Sequence, residues 1–151
     1  MKLHLFDIEG TIAPITFVHD VLFPYSVQEM DRFIKQNPNE VETIVEFLKQ
    51  CDAQYQPNFE YEENADGVIA VLKYWITNDF KIGPLKTIQG KIWKDGFESG
   101  NICGQLYDDA INFIIRCTND KFAIYSSGSV MVSELYIVVS NLLIRLKPFT
   151  R

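Results

Sequence analysis

The sequence predicts an α/β protein in which two short strands of a parallel sheet, one near each end of the chain, frame a mainly helical insertion. Leu3-His4-Leu5-Phe6-Asp7 is a short apolar run with a glycine, Gly10, close behind it, and Lys121-Phe122-Ala123-Ile124-Tyr125 is a second such run leading into Ser126-Ser127-Gly128-Ser129. Between them apolar residues recur at helical spacing, and three such segments follow one another with no strand pattern among them. A length of 151 residues suits one ordinary domain, or a small core carrying an inserted subdomain.

Taken in order, the first strand delivers Asp7 to its carboxyl end, where Gly10 permits a sharp bend. Ser26-Val27-Gln28-Glu29 has capping-box spacing, and Val27, Met30, Phe33 and Ile34 then share a helical face until Asn37-Pro38 stops the run. Val41, Ile44, Val45 and Leu48 repeat the pattern in a second helix. A polar stretch with Gln54, Gln56, Pro57 and Asn58 leads to a third helix, for which Asp66 is the expected cap and Val68, Val71, Leu72, Trp75 and Ile76 the buried face. Gly83-Pro84 and the glycines at 90, 96, 100 and 104 read as a turn-rich segment, after which Ile111, Ile114 and Ile115 mark a helix ending near Asn119-Asp120. The second strand, its small polar turn and the apolar segment beyond form a phosphate-binding arrangement, with free N–H groups at a helix start facing an anion.

Composition narrows the function classes. With 47% apolar and 23% charged residues the chain is globular rather than disordered. The net charge of -6 leaves no basic surface for nucleic-acid phosphates. Cys51, Cys103 and Cys117 are too widely spaced for a C-x-x-C zinc motif or a disulfide framework and read as reduced thiols of a cytoplasmic protein. The first strand is too short and too charged for a signal-peptide core, and Leu135 to Leu146, the most apolar stretch, falls short of the roughly 20 residues that span a bilayer. Neither nucleic acid nor membrane is an expected partner.

Chemistry concentrates in Asp7-Ile8-Glu9-Gly10-Thr11, two carboxylates at a strand end followed by glycine and a hydroxyl. One carboxylate can attack while the other moves a proton. A phosphoester is anionic, so a carboxylate nucleophile needs a cation, and oxygen ligands beside phosphate select magnesium. On these five residues alone a strand-ending Asp with a solvated Glu is an equal reading. Pairing with the serine turn at a second strand end favours the chemical one, because ligands bind at the carboxyl edge of parallel sheets. His19 reads as a structural histidine meeting a local hydrogen bond, Trp75 and Trp93 as core of the helical insertion, and Lys86 and Lys91 as solvated cations.

Asp7-Ile8-Glu9-Gly10-Thr11 resembles motif I of the haloacid-dehalogenase superfamily, where an aspartate is the nucleophile, and Ser126 or Ser127 resembles the hydroxyl of motif II. The continuation Pro14-Ile15-Thr16-Phe17-Val18-His19-Asp20-Val21-Leu22-Phe23-Pro24-Tyr25 is similar to the signature of the enolase-phosphatases. So are Leu85-Lys86-Thr87-Ile88-Gln89-Gly90-Lys91-Ile92-Trp93, with Gly96, Gly100, Gly104 and Tyr107 after it, and Tyr125-Ser126-Ser127-Gly128-Ser129-Val130. The resemblance implies a three-layer Rossmann-like core, residues 1–14 and 105–151, with an inserted helical cap, residues 15–104. It further implies an enzyme of methionine salvage that enolises a small phosphorylated diketone, 2,3-diketo-5-methylthiopentyl 1-phosphate, and removes its phosphate with Mg²⁺; apart from the resemblance, the chain, if folded, is expected to be a monomer. By the same likeness Asp7 is nucleophile and metal ligand, Glu9 serves proton transfer and the metal, and Ser126 and Ser127 bind the phosphate.

The likeness fades beyond residue 134. No Asp or Glu follows Glu134, so the late acidic motif is missing, and Lys147 lies too near the serine turn to match the superfamily lysine. The expectation is therefore an incomplete core and a truncated or frame-shifted product with impaired activity. A catalytically inactive remnant and a superfamily phosphatase for another small phosphoester are the alternatives.

Overall fold

The computed structural model describes residues 1–117 and 119–125 and the backbone of 146–148. In chain order these form β1 (Leu3–Phe6), α1 (Ile15–Phe17), a π-helical turn (Val18–Leu22), α2 (Phe23–Gln36), α3 (Pro38–Gln50) and a 3-10 turn (Ala53–Tyr55). There follow α4 (Ala65–Thr77), α5 (Gly83–Glu98), α6 (Asp108–Arg116), β2 (Lys121–Ile124) and β3 (Leu146–Pro148). Two compact units result, Tyr25–Ile92 and a discontinuous one made of Met1–Pro24 with Trp93–Arg151.

The discontinuous unit carries the sheet. Its order is β1-β2-β3, all parallel, with Leu3 opposite Lys121, Phe6 opposite Ile124, Phe122 opposite Leu146 and Ile124 opposite Pro148. The sequence showed two of these strands. β3 is three residues long, too short to display a period of two, and its Pro148 is tolerated where no further described strand needs its N–H. Alternation along β1 leaves Leu3 and Leu5 exposed and turns His4 and Phe6 to the other face. The register sets the His4 ring beside Phe122, centroids 5.2 Å apart, and Phe113 of α6 meets His4 edge-on at 5.1 Å. Only Ile114 of the three isoleucines read from α6 is buried; Ile115 is exposed, and the helix stops at Arg116, short of Asn119.

The continuous unit is helical. Met30, Phe33, Ile34, Ile44, Leu48, Val68, Val71, Leu72, Trp75, Leu85, Ile88 and Ile92 make its core, and Trp75 is wholly buried with its indole N–H donating to the Tyr55 carbonyl at 2.8 Å. Each fully buried side chain of this size contributes about 1.5–3 kcal/mol of transfer free energy, so packing, not propensity, holds the helices. Three sequence expectations need correction. α2 starts at Phe23 directly from the π-helical turn, so Ser26 is a buried helix-interior residue and no cap. α4 is capped by Asn64, whose side-chain oxygen accepts the Gly67 N–H at 2.9 Å, leaving Asp66 in the first turn. The segment read as turns is the 16-residue helix α5: Pro84 falls in its first turn, where no N–H is needed, and Gly90 and Gly96 are buried inside it.

Candidate active site at the carboxyl end of the first strand

Asp7 is the first residue beyond β1 and is exposed, and Glu9 follows half-buried in the adjoining turn. The turn is built around one carbonyl. Ile8 C=O accepts the N–H groups of Thr11 at 3.2 Å, Ile12 at 3.1 Å and Ala13 at 3.0 Å, while Gly10 N–H donates to the Ala13 carbonyl at 2.8 Å. Closing so tight a loop drives Gly10 to φ 77°, the left-handed region that costs an L side chain about 1–2 kcal/mol. Ile8, Ile12 and Ala13 are each buried to within 4% of full burial, so the underside is anchored in apolar contacts while Asp7, Gly10 and Thr11 face outward. The turn thus carries an exposed Asp7 and a half-buried Glu9 on hydrogen-bonded backbone anchored by buried apolar side chains.

The neighbouring strand ends level with this turn. Phe6 pairs with Ile124, and the Tyr125 N–H donates to the Phe6 carbonyl at 2.7 Å, so the chain leaving β2 passes the residue before Asp7. Ser126 and Ser127, next along the chain, lie outside the described residues. The Ile12 carbonyl accepts the Tyr107 N–H at 2.9 Å, which ties the turn to the segment before α6.

Downstream, His19 sits exposed in the π-helical turn with its ring 6.2 Å from Phe23. Phe23 meets Trp93 edge-on at 5.8 Å, and the Trp93 indole N–H donates to the Leu22 carbonyl at 2.7 Å. A π-helical turn is uncommon and recurs at functional sites; no spacing pattern foretold it here. Trp93 therefore braces the stretch that holds His19, a role its neighbours in sequence did not reveal. Lys91 pairs with Glu40, and Lys86 is exposed.

No protein-family model matches the chain. Among curated proteins it is 37% identical over 142 residues to an enolase-phosphatase E1 of Leptospira borgpetersenii, covering 93% of this chain and 62% of that protein. One from Sulfurihydrogenibium is 42% identical over 146 residues, with 93% and 60% covered, and one from Drosophila willistoni 38% identical over 161 residues, with 95% and 63% covered. The chain is a relative of the enolase-phosphatases E1. It spans about three fifths of the length of these curated enolase-phosphatases. The fold agrees with a solved structure, the UTR4 protein of Saccharomyces cerevisiae, at a TM-score of 0.71 and 28% identity over 97% of this chain and 65% of that one. The helix-rich α/β arrangement around a small parallel sheet is thus shared with that protein, and among the described residues no helix is long and apolar enough to cross a membrane.

Proposed function

We propose that this chain carries part of the catalytic machinery of a Mg²⁺-dependent enolase-phosphatase of the haloacid-dehalogenase type, acting in the cytoplasm as a monomer on a small phosphorylated diketone of methionine salvage. The observation that carries the reading is the Asp7–Glu9 turn at the carboxyl end of β1, held from below by Ile8, Ile12 and Ala13. In this reading residues 1–14 and 105–151 act as the core and 15–104 as the cap.

Asp7 attacks phosphorus through a carboxylate oxygen, and Glu9 hands a proton to the departing ester oxygen, so the ester bond breaks as the aspartyl phosphate forms. Water then hydrolyses that phosphate, with Glu9 taking the proton back. Ser126 and Ser127 hold the phosphate oxygens. Asp7 and Glu9 supply the hard oxygen donors that Mg²⁺ takes when it is bound by one or two carboxylates, water and substrate phosphate. Bound there, the ion would neutralise phosphate charge and so lower the repulsion that a carboxylate nucleophile meets.

The test is release of inorganic phosphate from 2,3-diketo-5-methylthiopentyl 1-phosphate with and without Mg²⁺. Magnesium-dependent turnover that falls at least about a thousandfold in Asp7→Asn supports the reading. Unchanged turnover in that variant overturns it. A folded chain that releases no phosphate from any ester is an inactive remnant, and hydrolysis of simple esters but not the diketone marks a different phosphatase.

A further inference from the structure

A second cluster of ligating side chains lies at the opposite edge of the sheet. His4 comes from the start of β1, Cys117 from the residue that ends α6, and Asp120 from the turn before β2. His4 precedes Asp7 by three residues of extended chain, about 10 Å at 3.3 Å per residue, so the two groups belong to separate places. Backbone contacts explain the convergence. Cys117 N–H donates to the Phe113 carbonyl at 3.2 Å, Asp120 N–H donates to the Cys117 carbonyl at 3.0 Å, and Lys121 N–H donates to the Lys2 carbonyl at 2.8 Å. The turn therefore folds Cys117 back beside Asp120 and registers both against β1.

Their ligating atoms all lie within 4.8 Å of one another, and each residue is partly exposed. The Asp120 carboxylate already accepts from two donors, the Lys2 N–H at 2.8 Å on Oδ1 and His4 Nε2 at 2.9 Å on Oδ2. The ring of His4 is itself fixed by Phe113 and Phe122 at 5.1 and 5.2 Å. A held imidazole, a held carboxylate and a thiol make a mixed nitrogen, oxygen and sulfur set that suits zinc and gives hard magnesium no advantage.

We propose that His4, Cys117 and Asp120 form a zinc-binding site at the amino edge of the sheet, with three protein ligands and the fourth position left to water. Ligand atoms around zinc stand roughly 3–4 Å apart at bond lengths near 2.0–2.3 Å, so the His4–Asp120 pair, now at 2.9 Å, opens by a few tenths of an ångström, and Cys117 Sγ, already within 4.8 Å of both, moves in by about 1 Å at most. The ion takes the place of the proton on His4 Nε2 that faces Asp120: exchange through solvent moves the single proton of the neutral ring to Nδ1, and the Cys117 thiol releases its proton to solvent. The two anionic ligands balance the charge of the ion.

Tag-free protein, dialysed against Zn²⁺ alone, tests this directly. One equivalent is expected per chain. With Co²⁺ in its place, a sulfur-to-metal charge-transfer band in the near ultraviolet is expected, which reports thiolate ligation in the unmodified chain. Cys117→Ser removes the band and weakens binding at least about a hundredfold, while Cys51→Ser and Cys103→Ser retain it. Asp7→Asn also keeps the equivalent, which separates this site from the magnesium reading above. No stoichiometric Zn²⁺, no charge-transfer band, or affinity untouched by both Cys117→Ser and Asp120→Asn in variants with native circular dichroism would overturn the proposal and leave His4–Asp120 a purely structural clip.

Discussion

Gly10→Ala isolates the backbone strain of the candidate active-site turn. At φ 77° a Cβ added to Gly10 meets nothing within 4 Å, so the substitution introduces no clash and its cost is conformational. Left-handed backbone costs an L residue about 1–2 kcal/mol, and the stiffer unfolded chain of alanine returns about 0.4–1 kcal/mol. The net loss is about 1 kcal/mol, a shift of roughly fivefold in the folded-to-unfolded ratio. Gly100 is the natural control: it has φ 76°, equally open space and a place in the same unit, where its N–H donates to the Phe97 carbonyl at 3.2 Å. Gly100→Ala should therefore cost the same. Urea unfolding followed by tryptophan fluorescence measures both, with Trp93 reporting on this unit. The two variants part in phosphate release, which only Gly10→Ala should reduce, because only its strain is relieved by moving Asp7 and Glu9. A Gly10→Ala chain clearly more stable than the parent, or one losing more than about 3 kcal/mol, would refute the reasoning, since the first denies the strain and the second requires a contact that the turn does not contain.

Trp75→Ala should destabilise the helical unit by about 4 kcal/mol, because it empties a fully buried site beside Phe47 and orphans the Tyr55 carbonyl; the loss is read as a lowered urea midpoint in far-ultraviolet circular dichroism. Asp120 is held below the usual carboxylate range first by the His4 hydrogen bond and next by the Lys2 N–H, against a smaller opposing effect of burial. Its folded form thus binds a proton less readily than its unfolded form, so its contribution is complete above the ordinary carboxylate pKa of about 3.9 and is lost as pH falls through the lowered folded value. The stability difference between parent and Asp120→Asn should shrink as pH falls below about 4; a difference that does not change across that acid range in urea titrations would contradict it.

Local chemistry was readable where one residue or one short period decides the outcome. Asp7 ends a strand and Gly10 bends the chain because a four-residue apolar run followed by glycine has few other solutions. Val68, Val71, Leu72 and Trp75 stand on one helical face, and all four are wholly buried as that spacing predicts. Misreadings came where two local signals competed. Asn64 and Asp66 are both good caps, and only the backbone geometry of the first turn selects Asn64. Gly83-Pro84, Gly90 and Gly96 carry turn signals, yet burial of Leu85, Ile88 and Ile92 outweighs roughly 1 kcal/mol per glycine and forms α5.

The sequence by itself determined the class of the fold, the strand that presents Asp7 and Glu9, and the kinship with the enolase-phosphatases. These depend on neighbours in the chain, whose spacing survives in any folded state. Tertiary structure alone decided that the Ile8 carbonyl accepts three amide N–H groups, that Trp93 reaches back to Leu22, and that His4 meets Asp120 and Cys117 more than a hundred residues away. Such meetings are set by strand register and by the path of the turn before β2, and a linear pattern carries no term for the distance between residues that only the sheet brings together.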